Sequence, residues 1–149
     1  MILVDSNIIM YAAGAEHPCK APSVAFLKNV AEAKVEATID AEVLQEILHR
    51  FRALNRWGDG RRVYDLARRI FPVVLPVTSA VLDRARILLD EDDRLMARDA
   101  LHAAVVEINS LAAICSYDRD FDRISTIVRL EPSSFNRLMD DMSSKNRSS

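Results

Sequence analysis

Acidic residues stand at four well-separated places in this chain: Asp5, Glu46, Asp99, and the trio Asp118, Asp120 and Asp122. A carboxylate is costly to bury or crowd unless something compensates its charge. If the four places meet on one edge of a sheet, the compensation expected is a divalent cation held by oxygen ligands. Asp5 is the leading candidate. It directly follows the apolar run Ile2-Leu3-Val4, and the Asn7 amide is placed to add an oxygen or to orient the carboxylate. Every position also has a plainer use. Asp5 could cap a helix. Glu42 lies one helical turn before Glu46 on the same face and competes with it. Asp99 follows Arg98, which offers a surface ion pair, and an acid at a helix start suits the helix dipole. Asp118, Asp120 and Asp122 share a charged loop in which at least one is expected to be merely solvated or capping.

The elements between these residues decide whether they can meet. Ile2-Leu3-Val4 is a short apolar run of the kind buried on both faces of a parallel sheet. Ser6 or Asn7 is placed to cap a turn through Ile8, Ile9 and Tyr11, broken by Gly14 and Pro18. Val24, Leu27 and Val30 recur at helical spacing, and Val35, Ala37 and Ile39 alternate as a second strand. Asp40 is placed to cap a helix with the stripe Val43-Leu44, Ile47-Leu48 and Phe51. Gly58-Asp59-Gly60 is expected to end that region before a helix marked by Val63, Leu66 and Ile70. Val73-Val74-Leu75 reads as a third strand. Thr78 caps a helix through Leu89, and Asp90–Asp93 breaks it. Leu101, Ala104 and Ile108 mark a further helix before a fourth strand at Leu111–Cys115 and a fifth at Ile127–Leu130.

Strands alternating with helices predict right-handed crossovers and a parallel sheet of four to five strands covered on both faces. Ligands of such sheets bind at the carboxyl ends of the strands. Asp5 follows strand one, and Asp118 follows strand four. Glu46 lies in the second turn after strand two. Asp99 opens a helix running antiparallel to the strands, so its end also faces that edge. All four can therefore converge.

At 149 residues, half of them hydrophobic and 28% charged, the chain is expected to fold as one soluble domain over residues 1–140, with 141–149 as a flexible polar tail. Only four apolar residues precede Asp5, so no secretory leader is expected, and no run is long enough for a membrane span. Cys19 and Cys115 form no CxxC and read as free thiols of a reducing cytoplasm. His17, His49 and His102 lack zinc-ligand spacing. His102 is read as a packed histidine at a helix–sheet contact in preference to a base or ligand. The net charge is −2, yet His49–Arg69 carries seven arginines against two aspartates, a local balance of +5. That stretch is either a solvated helical face or a face for phosphates. Trp57 and Tyr64 are expected to cover a helical hairpin there. No cluster of aromatics of the kind that reads RNA is evident.

Asp5-Ser6-Asn7 after a short strand resembles the opening motif of PIN-domain nucleases. The Glu46 helix, Arg98-Asp99-Ala100-Leu101-His102-Ala103-Ala104, Ser116-Tyr117-Asp118-Arg119-Asp120-Phe121-Asp122 and Val128-Arg129-Leu130-Glu131-Pro132 are similar to the later motifs, in order. The resemblance covers nearly the whole chain, and at this size it is nearest the VapC-type toxins of toxin–antitoxin pairs. It implies a three-layer α/β/α sandwich with a helical hairpin and favours Glu46 over Glu42. It makes Asp118 the fourth acid, with Asp120 and Asp122 as auxiliaries and Ser6 and Asn7 orienting. It implies a Mg²⁺- or Mn²⁺-dependent endoribonuclease with one or two ions, Asp5 and Asp99 being the principal ligands. Arg50, Arg52, Arg56, Arg61 and Arg62 become candidates for RNA phosphate contacts. A homodimer and a small antitoxin partner are implied as well. The other readings are a catalytically silent RNA-binding or scaffold module, an RNA-processing nuclease unrelated to toxicity, and an aspartyl-phosphate hydrolase. The last is disfavoured by Asn7 where Asp-x-Asp is the pattern, and by the lack of a well-placed lysine.

Overall fold

The computed structural model describes residues 1–148. Five strands, β1 (Ile2–Val4), β2 (Ala37–Asp40), β3 (Val74–Leu75), β4 (Ile114–Cys115) and β5 (Arg129–Leu130), pair in the order β3-β2-β1-β4-β5. Every pairing is parallel, with Leu3 opposite Thr38 on one side and Ile114 on the other. The chain winds outward from β1 in one direction, then returns to add β4 and β5 on the other side. The switch point therefore lies between β1 and β4, where the loops diverge and leave a crevice.

The pleat of β1 divides the core. Ile2 and Val4 face one apolar layer with Ile8, Phe26, Ile39 and Ile47. Leu3 faces the other, with Val81, Leu88, Ala104, Ile114 and Phe121. The first layer is roofed by α1 (Ser6–Ala13), α2 (Lys20–Ala31), α3 (Ala41–Ala53) and α4 (Trp57–Ile70), and the second by α5 (Ser79–Glu91) and α6 (Ala97–Ile108). This is the expected three-layer sandwich with five strands. A 3-10 turn (Arg119–Arg123) joins β4 to β5.

Local chemistry explains most element ends, and two differ from expectation. Asp40 and Thr78 cap α3 and α5 by accepting from the N–H groups of Val43 (3.0 Å) and Val81 (3.3 Å). At α1 the cap is Asp5 itself, not Ser6 or Asn7. The hairpin turns at Leu54-Asn55-Arg56, where Asn55 takes a left-handed φ of 54°. Gly58 and Gly60 therefore lie inside α4. Gly60 sits where α4 crosses α3, and a Cβ there would stand 2.5 Å from that of Phe51.

The final helix, α7 (Pro132–Arg147), begins with proline at its start and packs Phe135 on Phe26 at 5.3 Å between ring centres. The expected boundary after residue 140 falls within α7. Residues 141–147 are exposed and join neither core layer, and Ser149 lies outside the described residues. No described helix is long and apolar enough to cross a membrane. Cys19 and Cys115 are both free.

Candidate active site

The carboxyl edge of the sheet gathers the acids. Asp5, 6% exposed, accepts from the Ser6 N–H and from Ser116 Oγ, each at 2.7 Å. Ser116 follows β4, and its hydroxyl also receives the Asn7 amide and the Asp118 N–H, both at 3.0 Å. One hydroxyl thus fastens the ends of β1 and β4 together. Asn7 is thus linked to Asp5 through Ser116 and not by direct contact. Glu46 reaches in from α3, accepting from Ser6 Oγ and lying 3.0 Å from His102 Nε2.

His102 is 1% exposed, and its Nδ1 stands 2.6 Å from an oxygen of fully buried Asp40. The ring is therefore packed, as expected, and also joins the site: it bridges Asp40 to Glu46 and lies 3.9 Å from Asp5. Burial opposes the imidazolium, but hydrogen bonds to Asp40 and Glu46 and the charges of Asp40 and Asp5 outweigh it. They hold the pKa well above its ordinary value.

Asp99, one turn before His102 on α6, faces Asp118 and Asp120. One oxygen from each of the three lies within 4.8 Å of the others, and Asp5, Glu46 and His102 form a second group of that size. Asp99 is 3% exposed, yet it accepts no hydrogen bond from any described residue. Desolvation, then the charges of Asp118 and Asp5, push its pKa up to about 7. Asp5 is raised too, by desolvation first, with His102 and Ser116 opposing and Glu46 adding to the rise. No buried side-chain oxygen among the described residues lacks a partner, so the Asp99 oxygens open toward solvent. A carboxylate with no protein donor, among further carboxylates, fits a hard divalent cation with oxygen ligands. Both ring nitrogens of His102 are engaged, Nδ1 by Asp40 and Nε2 by Glu46, which leaves the carboxylates as the free ligand set.

Asp122 does not join this group. It is held by the Arg129 guanidinium at 2.9 and 3.2 Å. The expected Arg98–Asp99 ion pair is replaced by an Arg98–Glu46 pair at 3.6 Å. Glu42 is half-buried on α3 and makes no hydrogen bond among the described residues.

A cleft of about 760 Å³ opens over Asp5, Glu46 and Asp118, between α3 and the end of α1. Of the five expected arginines, only Arg50 and Arg56 line it. Arg56 and Arg62 both pair with Asp59, and Arg52 stacks over Trp57 at 5.3 Å. Arg61 is exposed on α4, away from the cleft lining. Sequence reasoning missed Asp40, Ser116 and Arg98 as members of the site. The only signal for His102 was its spacing of three from Asp99, which puts both on one face of α6. It also missed an aromatic pair, Tyr11 and His17, on the cleft wall.

A parallel three-layer sandwich with a multi-carboxylate cleft at its switch point defines a class of α/β proteins whose site lies at the carboxyl edge of the sheet, here with acidic groups that could hold a metal ion. Within that class the chain belongs to the PIN domain family, whose model matches residues 2–127. It is similar to ribonuclease VapC13 of Mycobacterium tuberculosis, 40% identical over 130 residues, covering 87% of this chain and 99% of that protein. Its fold is similar to Mycobacterium tuberculosis VapC20, a Sarcin-Ricin loop cleaving toxin, with a TM-score of 0.65 at 23% identity, over 89% of this chain and 100% of that one. It is likewise similar to a chain of a toxin–antitoxin complex from Klebsiella pneumoniae, with a TM-score of 0.64 at 17% identity, over 89% of this chain and 98% of that one.

Proposed function

We propose that this protein is a Mg²⁺- or Mn²⁺-dependent endoribonuclease acting as the toxin of a toxin–antitoxin pair. The observation that carries the reading is the convergence of Asp5, Glu46, Asp99 and Asp118 at one sheet edge, with Asp99 facing Asp118 and Asp120 and lacking a protein donor. The names of the similar ribonucleases and toxins support it.

Asp5 and Asp99 are the principal ligands. Glu46 and Asp118 hold a second ion, orient water or assist proton transfer, with Asp120 as auxiliary. When bound, the cation lowers the pKa of water and offsets charge on the phosphate. The chain's own residues supply the geometry. Ser116 and the Ser6 N–H hold both oxygens of Asp5, and Asp40 holds Glu46 from behind through His102. Arg50 and Arg56 stand on the cleft wall, where they can take phosphate oxygens and position RNA without reading its sequence. A cytoplasmic location, a homodimer and a small antitoxin partner complete the proposal.

The test is cleavage of RNA by Asp5→Asn and Asp99→Asn proteins with Mg²⁺ or Mn²⁺. Both are expected to stay folded and lose cleavage. Full activity in either, from preparations free of other nucleases, refutes the site. Expression of the wild-type chain is expected to arrest growth, with rescue by a small neighbouring gene. Intact nuclease activity without toxicity refutes the toxin role alone.

A further inference from the structure

From the aromatic wall of the cleft we infer that His17, backed by Tyr11, is a stacking platform for an unpaired RNA base next to the cleaved phosphate. This rests on the ribonuclease reading and adds to it the subsite that holds a base.

His17 is exposed and lines the same cleft as Asp5, Glu46 and Asp118. Its ring lies over Tyr11 with centres 4.6 Å apart and planes 30° from parallel. Tyr11 stands edge-on to Tyr117 at 5.3 Å. Tyr117 sits between Ser116, which holds Asp5, and Asp118. The platform is therefore tied directly to the carboxylates. Along α1, Tyr11 lies about 9 Å beyond Asp5 at 1.5 Å per residue, within reach of a base whose phosphate lies on the acids. One face of the His17 ring is taken by Tyr11, and the other meets no ring among the described residues.

An exposed histidine would ordinarily turn freely, but this one is held. Its Nδ1 accepts from the Cys19 N–H at 3.0 Å, which places the proton of the neutral ring on Nε2. The Lys20 ammonium donates to the Gly14 carbonyl across the same loop. Ser23 Oγ and the Tyr117 hydroxyl both donate to the Cys19 carbonyl, at 2.6 and 3.2 Å. The loop costs little further ordering when it meets a ligand. A fixed aromatic face beside a site for phosphate is how proteins hold splayed single-stranded RNA, since every base has a π-face. The Nε2–H remains to meet a base edge or a ribose hydroxyl. Trp57, the largest aromatic side chain, is absent from the cleft lining and carries Arg52 over its ring.

The test uses the full-length Asp99→Asn protein, which leaves RNA intact, and random-sequence single-stranded RNA carrying 5-iodouridine. Irradiation is expected to crosslink the peptide containing Tyr11 and His17. Adding His17→Ala should weaken binding of this RNA about five-fold to a hundred-fold, from the usual strength of one base–aromatic stack. His17→Phe should restore it, and abasic ribose-phosphate should bind all three proteins alike. Crosslinks confined to Trp57 or other positions, or equal RNA affinity in the His17→Ala protein, overturn the platform and leave the nuclease reading standing. Failure of the parent to bind RNA while the wild type cuts none overturns both.

Discussion

Replacing Asp99 with asparagine should make the cation-free protein more stable at neutral and alkaline pH while ending its activity. The cause is the burial of Asp99 against Asp118 and Asp5 with no hydrogen-bond donor. Its pKa rises from the ordinary 3.8 to about 7 in the folded chain. The folded state then binds the proton more tightly than the unfolded state does, so stability falls as pH rises between those two values. Below 3.8 both states are protonated and the group contributes nothing. Above about 7 both are ionised, and the folded state carries the whole penalty. At about 1.4 kcal/mol per pH unit the gap corresponds to roughly 4 kcal/mol. Asparagine keeps the shape and cannot ionise, so it removes that penalty. Asp5 is raised as well and its charge acts on Asp99, so the difference between the two proteins reports Asp99 together with that coupling. Urea unfolding in the presence of a chelator is the assay. The variant should exceed the wild type by up to about 4 kcal/mol near pH 8, and the two should converge near pH 4. Unfolding energies that run parallel across this range would show that Asp99 bears no burden of buried charge, and the electrostatic case for a cation would fall.

Other perturbations reach different parts of the same structure. A divalent cation at a hundred times its Kd should stabilise the wild type by about 2.7 kcal/mol, seen as a rise in Tm near pH 8 that Asp5→Asn lacks. Removing His102 strands buried Asp40, so His102→Ala should cost about 3–5 kcal/mol in chemical unfolding. The raised imidazole pKa means that the His102 contribution is fully present below 6.5 and is lost only as pH climbs through the higher folded value. The two glycines of α4 should respond oppositely. Gly60→Ala meets the Cβ of Phe51 and should lose about 1–3 kcal/mol, whereas a Cβ at Gly58 meets nothing within 4 Å, and Gly58→Ala should gain up to about 1 kcal/mol in helix propensity. Arg50→Glu should weaken RNA binding and flatten its salt dependence without moving the urea midpoint.

Composition and periodicity were enough for the layer architecture, because short apolar runs alternating with amphipathic stripes admit few packings. They were also enough to bring Asp5, Asp99, one of Glu42 and Glu46, and the Asp118–Asp122 loop to one edge, since parallel winding puts every strand's carboxyl end on the same side. Glycine at 58 and 60 misled, because a glycine that permits close helix crossing looks the same in sequence as one that ends a helix. Asp40 read correctly as a cap, but its second oxygen, turned to His102 across 62 positions of chain, left no local trace. The same holds for Ser116, which matters only because β4 lies beside β1, and for Tyr11 and His17, which become a platform only when the loop after α1 folds over the cleft.

The sequence by itself determined the alternation of strands and helices and the edge that their acids share, for those follow from local pattern and strand order. The family resemblance chose Glu46 over Glu42 and Asp118 among its neighbours, and the helix Pro132–Arg147 went unforeseen. Only the tertiary structure decided which charges are compensated. It gave Asp122 to Arg129 and Arg98 to Glu46, and it left Asp99 buried without a donor. Compensation depends on distances of a few ångströms between residues remote in sequence, and on the water that their packing excludes.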